Sequence, residues 1–161
     1  MDKIQECAMC FQHLVNTTSY IFHAVNRRVH VIRLDFKASD FYHLTGLQYL
    51  TDIDIPKNKK NTISWILDKR RPVTDDYLAK SAFYKGKPDD EKDIENRIAN
   101  LRFLEQYLDE DNMIRMYSPK DGPPNSSLIK CDYIIESQLQ KSHTIVYIFL
   151  KHRHGTGANE P

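Results

Sequence analysis

The segment Asp40-Phe-Tyr-His-Leu-Thr-Gly-Leu47 sets an imidazole, His43, two residues from a hydroxyl, Thr45. The adjacent glycine lets a ligand or another backbone approach closely. Imidazole changes charge near neutrality and can serve as general acid or base. The same spacing also suits a helix N-terminus carrying a capped or surface histidine. Lys80-Ser81 offers an ammonium that could neutralise a developing phosphorane, or simply a solvated helix lysine. Arg97 lies one helical step from Ile94 and Ile98, where it can point into a cleft or pair with Asp93 at i, i+4.

Two basic clusters, Lys57, Lys59 and Lys60 in a loop and Lys69, Arg70 and Arg71 at a helix end, flank one acid, Asp68. Such a patch can track a nucleic-acid backbone, although basic residues also complement a helix C-terminal dipole. Cys7-Ala-Met-Cys10 is a C-x-x-C, but it falls inside an amphipathic helix with no second Cys/His pair. His143, His152 and His154 have no carboxylate at ligand spacing, so no metal site is expected. There is no Gly-rich phosphate loop, no G-x-S-x-G and no H-E-x-x-H, so nucleotide hydrolysis and hydrolase-triad chemistry lack support.

These residues must be positioned by the elements around them. Ile4, Ala8, Phe11 and Val15 follow helical spacing behind Asp2, which predicts a helix over 2–17. SYIFHAV and RVHVIRLDF read as strands around a tight Asn26-Arg27 turn, with Ile32, Leu34 and Phe36 on one face. A helix starting at Ser39 or Asp40 is interrupted by Gly46. Thr62 is expected to cap a short helix, TDDYLAKSAFY to form another, and Asp89 to Asp109 a long one striped by Ile94, Ile98, Leu101, Leu104 and Leu108. MIRMYS, LIKCDYIIES and HTIVYIFLKH follow as strands around a Pro/Gly loop, the last expected at the sheet centre for its near-continuous apolar run. Lacking helical crossovers, they must pair antiparallel. The fold class is therefore α+β, an antiparallel meander sheet packed by several helices. One domain over 1–152 and a flexible tail over 153–161 are expected.

The 161 residues are 40% hydrophobic and 28% charged, with a net charge of +1. That composition excludes wholesale disorder and fibrous repeats, and confines any nucleic-acid contact to local patches. No apolar run is long enough to span a bilayer. The acidic start without a small-residue cleavage site argues against a signal peptide, and three cysteines fit a reducing compartment, the cytoplasm.

DFYHLTGLQYLTDI, then W-I-L-D, Y-L-x-K-S-x-F-Y at 77–84, R-I-x-x-L-x-x-L-E at 97–105 and C-D-Y-I-I at 131–135 resemble one family. It is the phage and mobile-element family of barnase–EndoU–colicin E5/D–RelE-like nucleases, in its fourth phage subgroup. The resemblance runs from about residue 1 to 152 and is most specific around His43. It implies a compact domain of helices and meander sheet, and metal-independent RNA cleavage with no cofactor in a bacterial host's cytoplasm. RNA, with tRNA one candidate, would be the partner, together with an immunity or antitoxin protein. A base would deprotonate the 2′-hydroxyl, a cation would steady the phosphorane, and an acid would protonate the 5′-oxygen. His43 is the candidate base or acid, Lys80 and Arg97 the candidate cations, Thr45 and Ser81 the candidate holders of phosphate oxygens. The family's sheet would continue past the third late strand, where this sequence reads RHGTGANEP.

Two other classes fit parts of the pattern. His-Leu-Thr resembles the His-x-Thr that ADP-ribosyltransferase toxins set against nicotinamide dinucleotide, but Glu136-Ser-Gln138 is only the reverse of their Gln/Glu-x-Glu pair. A catalytically inactive nucleic-acid or protein binding module on the same scaffold would keep the basic patches without the chemistry.

Overall fold

The computed structural model describes residues 1–17, 19–25, 27–56, 58–86, 93–110, 112–116, 131–138 and 145–151. Lys57, Asn26, the first residues of the helix expected from Asp89, the Pro/Gly loop, His143, His152, His154 and the expected tail lie outside them. The chain folds as two compact units, Met1–Gln106 and Tyr107–Pro161.

The N-terminal unit is built on α1 (Lys3–Asn16), which buries Ile4, Cys7, Ala8, Phe11 and Leu14. Leu14 rather than Val15 completes the buried stripe, with Val15 only half-covered. The helix start is tied down from far along the chain. The Asp75 carboxylate accepts the N–H groups of Lys3 (2.9 Å) and Ile4 (3.0 Å), while Asp2 Oδ1 accepts the Asp75 N–H at 3.1 Å. These bonds satisfy donors that every helix start leaves open. The Phe11 ring meets Phe36 edge-on at 5.6 Å and Phe41 at 5.4 Å, joining α1 to the segment that carries His43.

β1 (Ser19–Val25) and β2 (Arg28–Leu34) form an antiparallel hairpin whose register runs from Ser19↔Leu34 to Val25↔Arg28. The left-handed turn conformation, φ 64°, falls on Arg27. α2 (Ala38–Leu44) opens with the Asp40 carboxylate accepting the Lys37 N–H at 2.9 Å. It stops at Gly46, whose φ of 77° is the left-handed conformation that commonly ends a helix. A 3₁₀ turn, Leu47–Tyr49, follows.

Two expected helices are shorter than the spacing suggests. α3 (Thr62–Ile66) includes Thr62 as its first residue rather than its cap, and the Thr62 hydroxyl donates to the Lys59 carbonyl. α4 (Asp75–Leu78) is one turn, capped by Thr74 Oγ1, after which the Asp52 carboxylate accepts the Ala82 N–H and holds the chain in turns. The helix expected over Asp89 to Asp109 is two: α5 (Ile94–Leu101) and α6 (Leu104–Asp109). At the break Arg102 donates to the Ala99 carbonyl at 3.2 Å and pairs with Glu6 on α1 at 3.0 Å. Ile94 and Ile98, fully buried, anchor α5 in the core with Phe41, Ile66 and Leu78.

In the C-terminal unit β3 (Met113–Met116), β4 (Tyr133–Gln138) and β5 (Ile145–Leu150) form an antiparallel sheet in the order β3-β4-β5. The chain is thus α+β, as the absence of crossovers required. The central strand is β4, not the apolar β5. Ile134, Ile135 and Ser137 of β4 are buried, whereas β5 is half-covered and exposes Ile145 and Tyr147. An apolar run reports affinity for a covered position but not which neighbours a strand acquires. The Ser137 hydroxyl donates to the Tyr107 carbonyl at 2.9 Å, and Arg115 pairs with Glu136 at 2.7 Å.

Candidate active site

His43 occupies the last turn of α2 and is exposed. Its Nε2 lies 2.8 Å from the Nζ of Lys59, which begins the 3₁₀ turn Lys59–Asn61 ahead of α3. An ammonium has only protons to offer, so a hydrogen bond from Lys59 requires Nε2 to accept, which puts the ring's own proton on Nδ1. The turn that presents Lys59 is fixed locally, since the Asn58 side chain accepts the Lys60 N–H at 3.1 Å and Thr62 holds the Lys59 carbonyl at 3.0 Å.

Arg97 reaches the same place from α5. Its Nη1 donates to the His43 carbonyl at 3.4 Å, and its Cδ lies 3.3 Å from where a Cβ on Gly46 would stand. The glycine therefore does two things: it turns the chain out of α2 and leaves room for the arginine stem against that turn. His43 thus has the Lys59 ammonium at its ring nitrogen and the Arg97 guanidinium at its main-chain carbonyl, with His43 and Lys59 exposed and Arg97 half-buried. A phosphodiester brought to Lys59 would lie beside an imidazole nitrogen able to accept a proton.

The other residues singled out by spacing lie elsewhere or are already engaged. Thr45 is fully buried and its hydroxyl donates to the Phe41 carbonyl at 2.7 Å, so it offers nothing to a phosphate or a dinucleotide. The Ser81 hydroxyl, on a residue only 5% exposed, donates to the Asp52 carboxylate and accepts the Phe83 N–H. That hydroxyl first, and the Ala82 N–H second, hold the Asp52 carboxyl below the usual carboxylate range. Lys80 sits 5.5 Å above the Tyr77 ring, in a cleft whose lining includes Trp65 and Arg71 but not His43, Lys59 or Arg97.

Lys60, Lys69, Arg70 and Arg71 are exposed. Asp68 orders the second cluster by accepting the Arg70 N–H at 2.9 Å through its carboxylate and the Arg71 N–H at 3.3 Å through its carbonyl. Cys7 is fully buried, and burial first, then Cys10, pushes its thiol far above the ordinary range. Among the described residues no group of three or more His, Cys, Asp or Glu side chains could hold a metal ion. No helix among them is long and apolar enough to cross a membrane.

Sequence reading missed two things. Lys59 appeared as one of several loop lysines, and nothing in its distance along the chain links it to His43. Asp52 gave no signal, because it acts only through a turn whose geometry exists after folding.

A family model described as phage-Barnase-EndoU-ColicinE5/D-RelE like nuclease 4 matches residues 3–159. No curated protein and no solved structure gives a significant match.

Proposed function

Since the chain belongs to the phage barnase–EndoU–colicin E5/D–RelE-like nuclease family 4, we propose that it cleaves RNA by 2′-hydroxyl transesterification without a metal ion. The observation that supports this reading is the Lys59 ammonium 2.8 Å from His43 Nε2, with Arg97 bonded to the carbonyl of the same residue. Arrival of a phosphodiester draws the Lys59 ammonium onto a phosphate oxygen and frees the Nε2 lone pair. His43 then takes the 2′-hydroxyl proton and the 2′-oxygen attacks phosphorus. Lys59 and Arg97 counter the added negative charge of the phosphorane. The P–O5′ bond breaks and the 5′-oxygen leaves as an alcohol, taking a proton that the His43 imidazolium returns through a water molecule. The imidazole is restored and a 2′,3′-cyclic phosphate is produced.

Lys60, Lys69, Arg70 and Arg71 would track the backbone of the bound strand, which makes affinity fall with salt. The setting is a bacterial cytoplasm, where tRNA is among the candidate substrates. An immunity or antitoxin protein would inhibit by covering His43. The test is the rate on a short oligoribonucleotide. His43→Ala should lose at least about 100-fold, the low end of what positioned proton transfer supplies, while retaining salt-sensitive binding. Binding by both proteins with no cleavage by either would identify a binding module instead.

A further inference from the structure

The cleft that contains Lys80 does not belong to the His43 cluster, and its chemistry differs. It has a volume of about 440 Å³, inside the ~300–1,000 Å³ span of small-ligand pockets. Its walls are two aromatic rings, Trp65 of α3 and Tyr77 of α4, with centroids 6.1 Å apart and planes inclined at 72°. Tyr77 is fixed in place because its hydroxyl donates to the Asp54 carbonyl at 2.9 Å. Two cations, Arg71 and Lys80, and two acidic residues, Asp54 and Asp76, are also part of the lining.

We infer that this cleft binds one unpaired nucleobase of the RNA substrate, a reading that rests on the proposed ribonuclease function. The aromatic faces provide a stacking platform, as single-strand binders use for any base. Lys80 already lies over the Tyr77 face; an incoming base takes that place and releases the ammonium to the flanking phosphate, with Arg71 available on the same lining. The carboxylates give the site a preference. Ionised Asp is acceptor-only, so Asp54 and Asp76 favour a base edge that presents N–H donors. Guanine offers two adjacent donors to one carboxylate. Uracil offers one donor flanked by two carbonyl oxygens and is disfavoured.

The cleft and the His43 cluster are linked by one short stretch of chain. Lys59 touches His43, Trp65 lines the cleft, and the 3₁₀ turn and α3 join them. At about 1.5–2.0 Å of rise per residue the two points are separated by roughly 10 Å along that axis. A single strand spans this distance in a few nucleotides, so the base in the cleft lies close in sequence to the scissile phosphate and can set where cleavage occurs.

Trp65 is the only tryptophan in the chain, so its fluorescence reports the cleft directly. The experiment titrates the full chain with 2′-O-methyl oligonucleotides, which carry no attacking hydroxyl, made as G-containing and all-U versions of one sequence. The expected result is quenching at about tenfold lower concentration for the G-containing strand, the order of discrimination a good carboxylate–base pair gives. Asp76→Asn should reduce that ratio several-fold, and His43→Ala should leave it intact. Asp76 is exposed, and an unchanged thermal transition would show that its substitution leaves the fold unaltered. Cleavage by the wild type with no Trp65 response, or with a G/U ratio near one, overturns the inference. Base-selective quenching by a protein that cleaves nothing supports the cleft and removes the ribonuclease reading instead.

Discussion

Replacing Gly46 with alanine tests how the turn after α2 supports the cluster around His43. Gly46 has φ 77° and ψ 13°, a conformation that costs an L-residue about 1–2 kcal/mol. Its new Cβ would lie 3.2 Å from Ile94 Cγ1 and 3.3 Å from Arg97 Cδ, inside the ~3.5–4.0 Å of comfortable carbon contact. The two neighbours respond differently. Ile94 is fully buried and has nowhere to go, so overpacking against it adds about 1 kcal/mol or more. Arg97 is a long side chain that can swing away. Alanine recovers about 0.4–1 kcal/mol by restricting the unfolded chain, leaving a net loss of about 1–3 kcal/mol. Thermal unfolding followed by Trp65 fluorescence should show Tm lower by at least about 4 °C for a unit of this size. Below the transition, RNA cleavage should fall toward the level of Arg97→Ala, because the displaced stem carries the guanidinium off the His43 carbonyl. A Gly46→Ala protein as stable as the wild type would refute the packing argument. A destabilised one with full activity would separate Arg97 from the chemistry.

Removal of the Asp75 carboxylate by alanine should cost about 2 kcal/mol by urea unfolding, since two backbone donors at the start of α1 lose a charged acceptor; an unchanged midpoint would contradict the tie. Asp52 has its carboxyl lowered chiefly by the Ser81 hydroxyl. Its contribution to stability is therefore fully present above the unfolded-state carboxylate pKa, about 3.9, and is lost as pH falls through the lower folded value. Asp52→Asn should then lose less Tm than the wild type between pH 5 and about pH 2, and parallel profiles would refute the assignment. Cys7, whose buried thiol is pushed far up, should resist iodoacetamide at pH 8 until the protein unfolds; rapid native-state alkylation mapped by mass spectrometry would contradict that burial.

The antiparallel late strands were legible because a chain with no crossover helix has no other way to pair neighbours. The position of β5 was not, since its apolar side chains suit a sheet edge with one covered face as well as a centre. The break between α5 and α6 was invisible for a related reason. Ile94, Ile98, Leu101, Leu104 and Leu108 keep helical spacing straight through Arg102 and Phe103, and no glycine or proline marks the interruption. Within the candidate site, His43 and Arg97 stood out by residue type. Lys59 became meaningful only when folding brought it 2.8 Å from the imidazole. Thr45 and Ser81 show the opposite failure, because spacing lists a hydroxyl as available while the folded chain commits it to Phe41 or Asp52. The Trp65–Tyr77 cleft escaped notice because its two rings come from separate helices and acquire chemistry only as a pair.

The most direct test incubates the purified chain and its His43→Ala variant with total bacterial RNA in EDTA and maps the ends of every fragment. The account predicts wild-type fragments ending in 2′,3′-cyclic phosphate and 5′-hydroxyl, with at least about 100-fold less product from the variant. Equal cleavage by both proteins would contradict the role of His43, and RNA left intact by the wild type would contradict the ribonuclease itself.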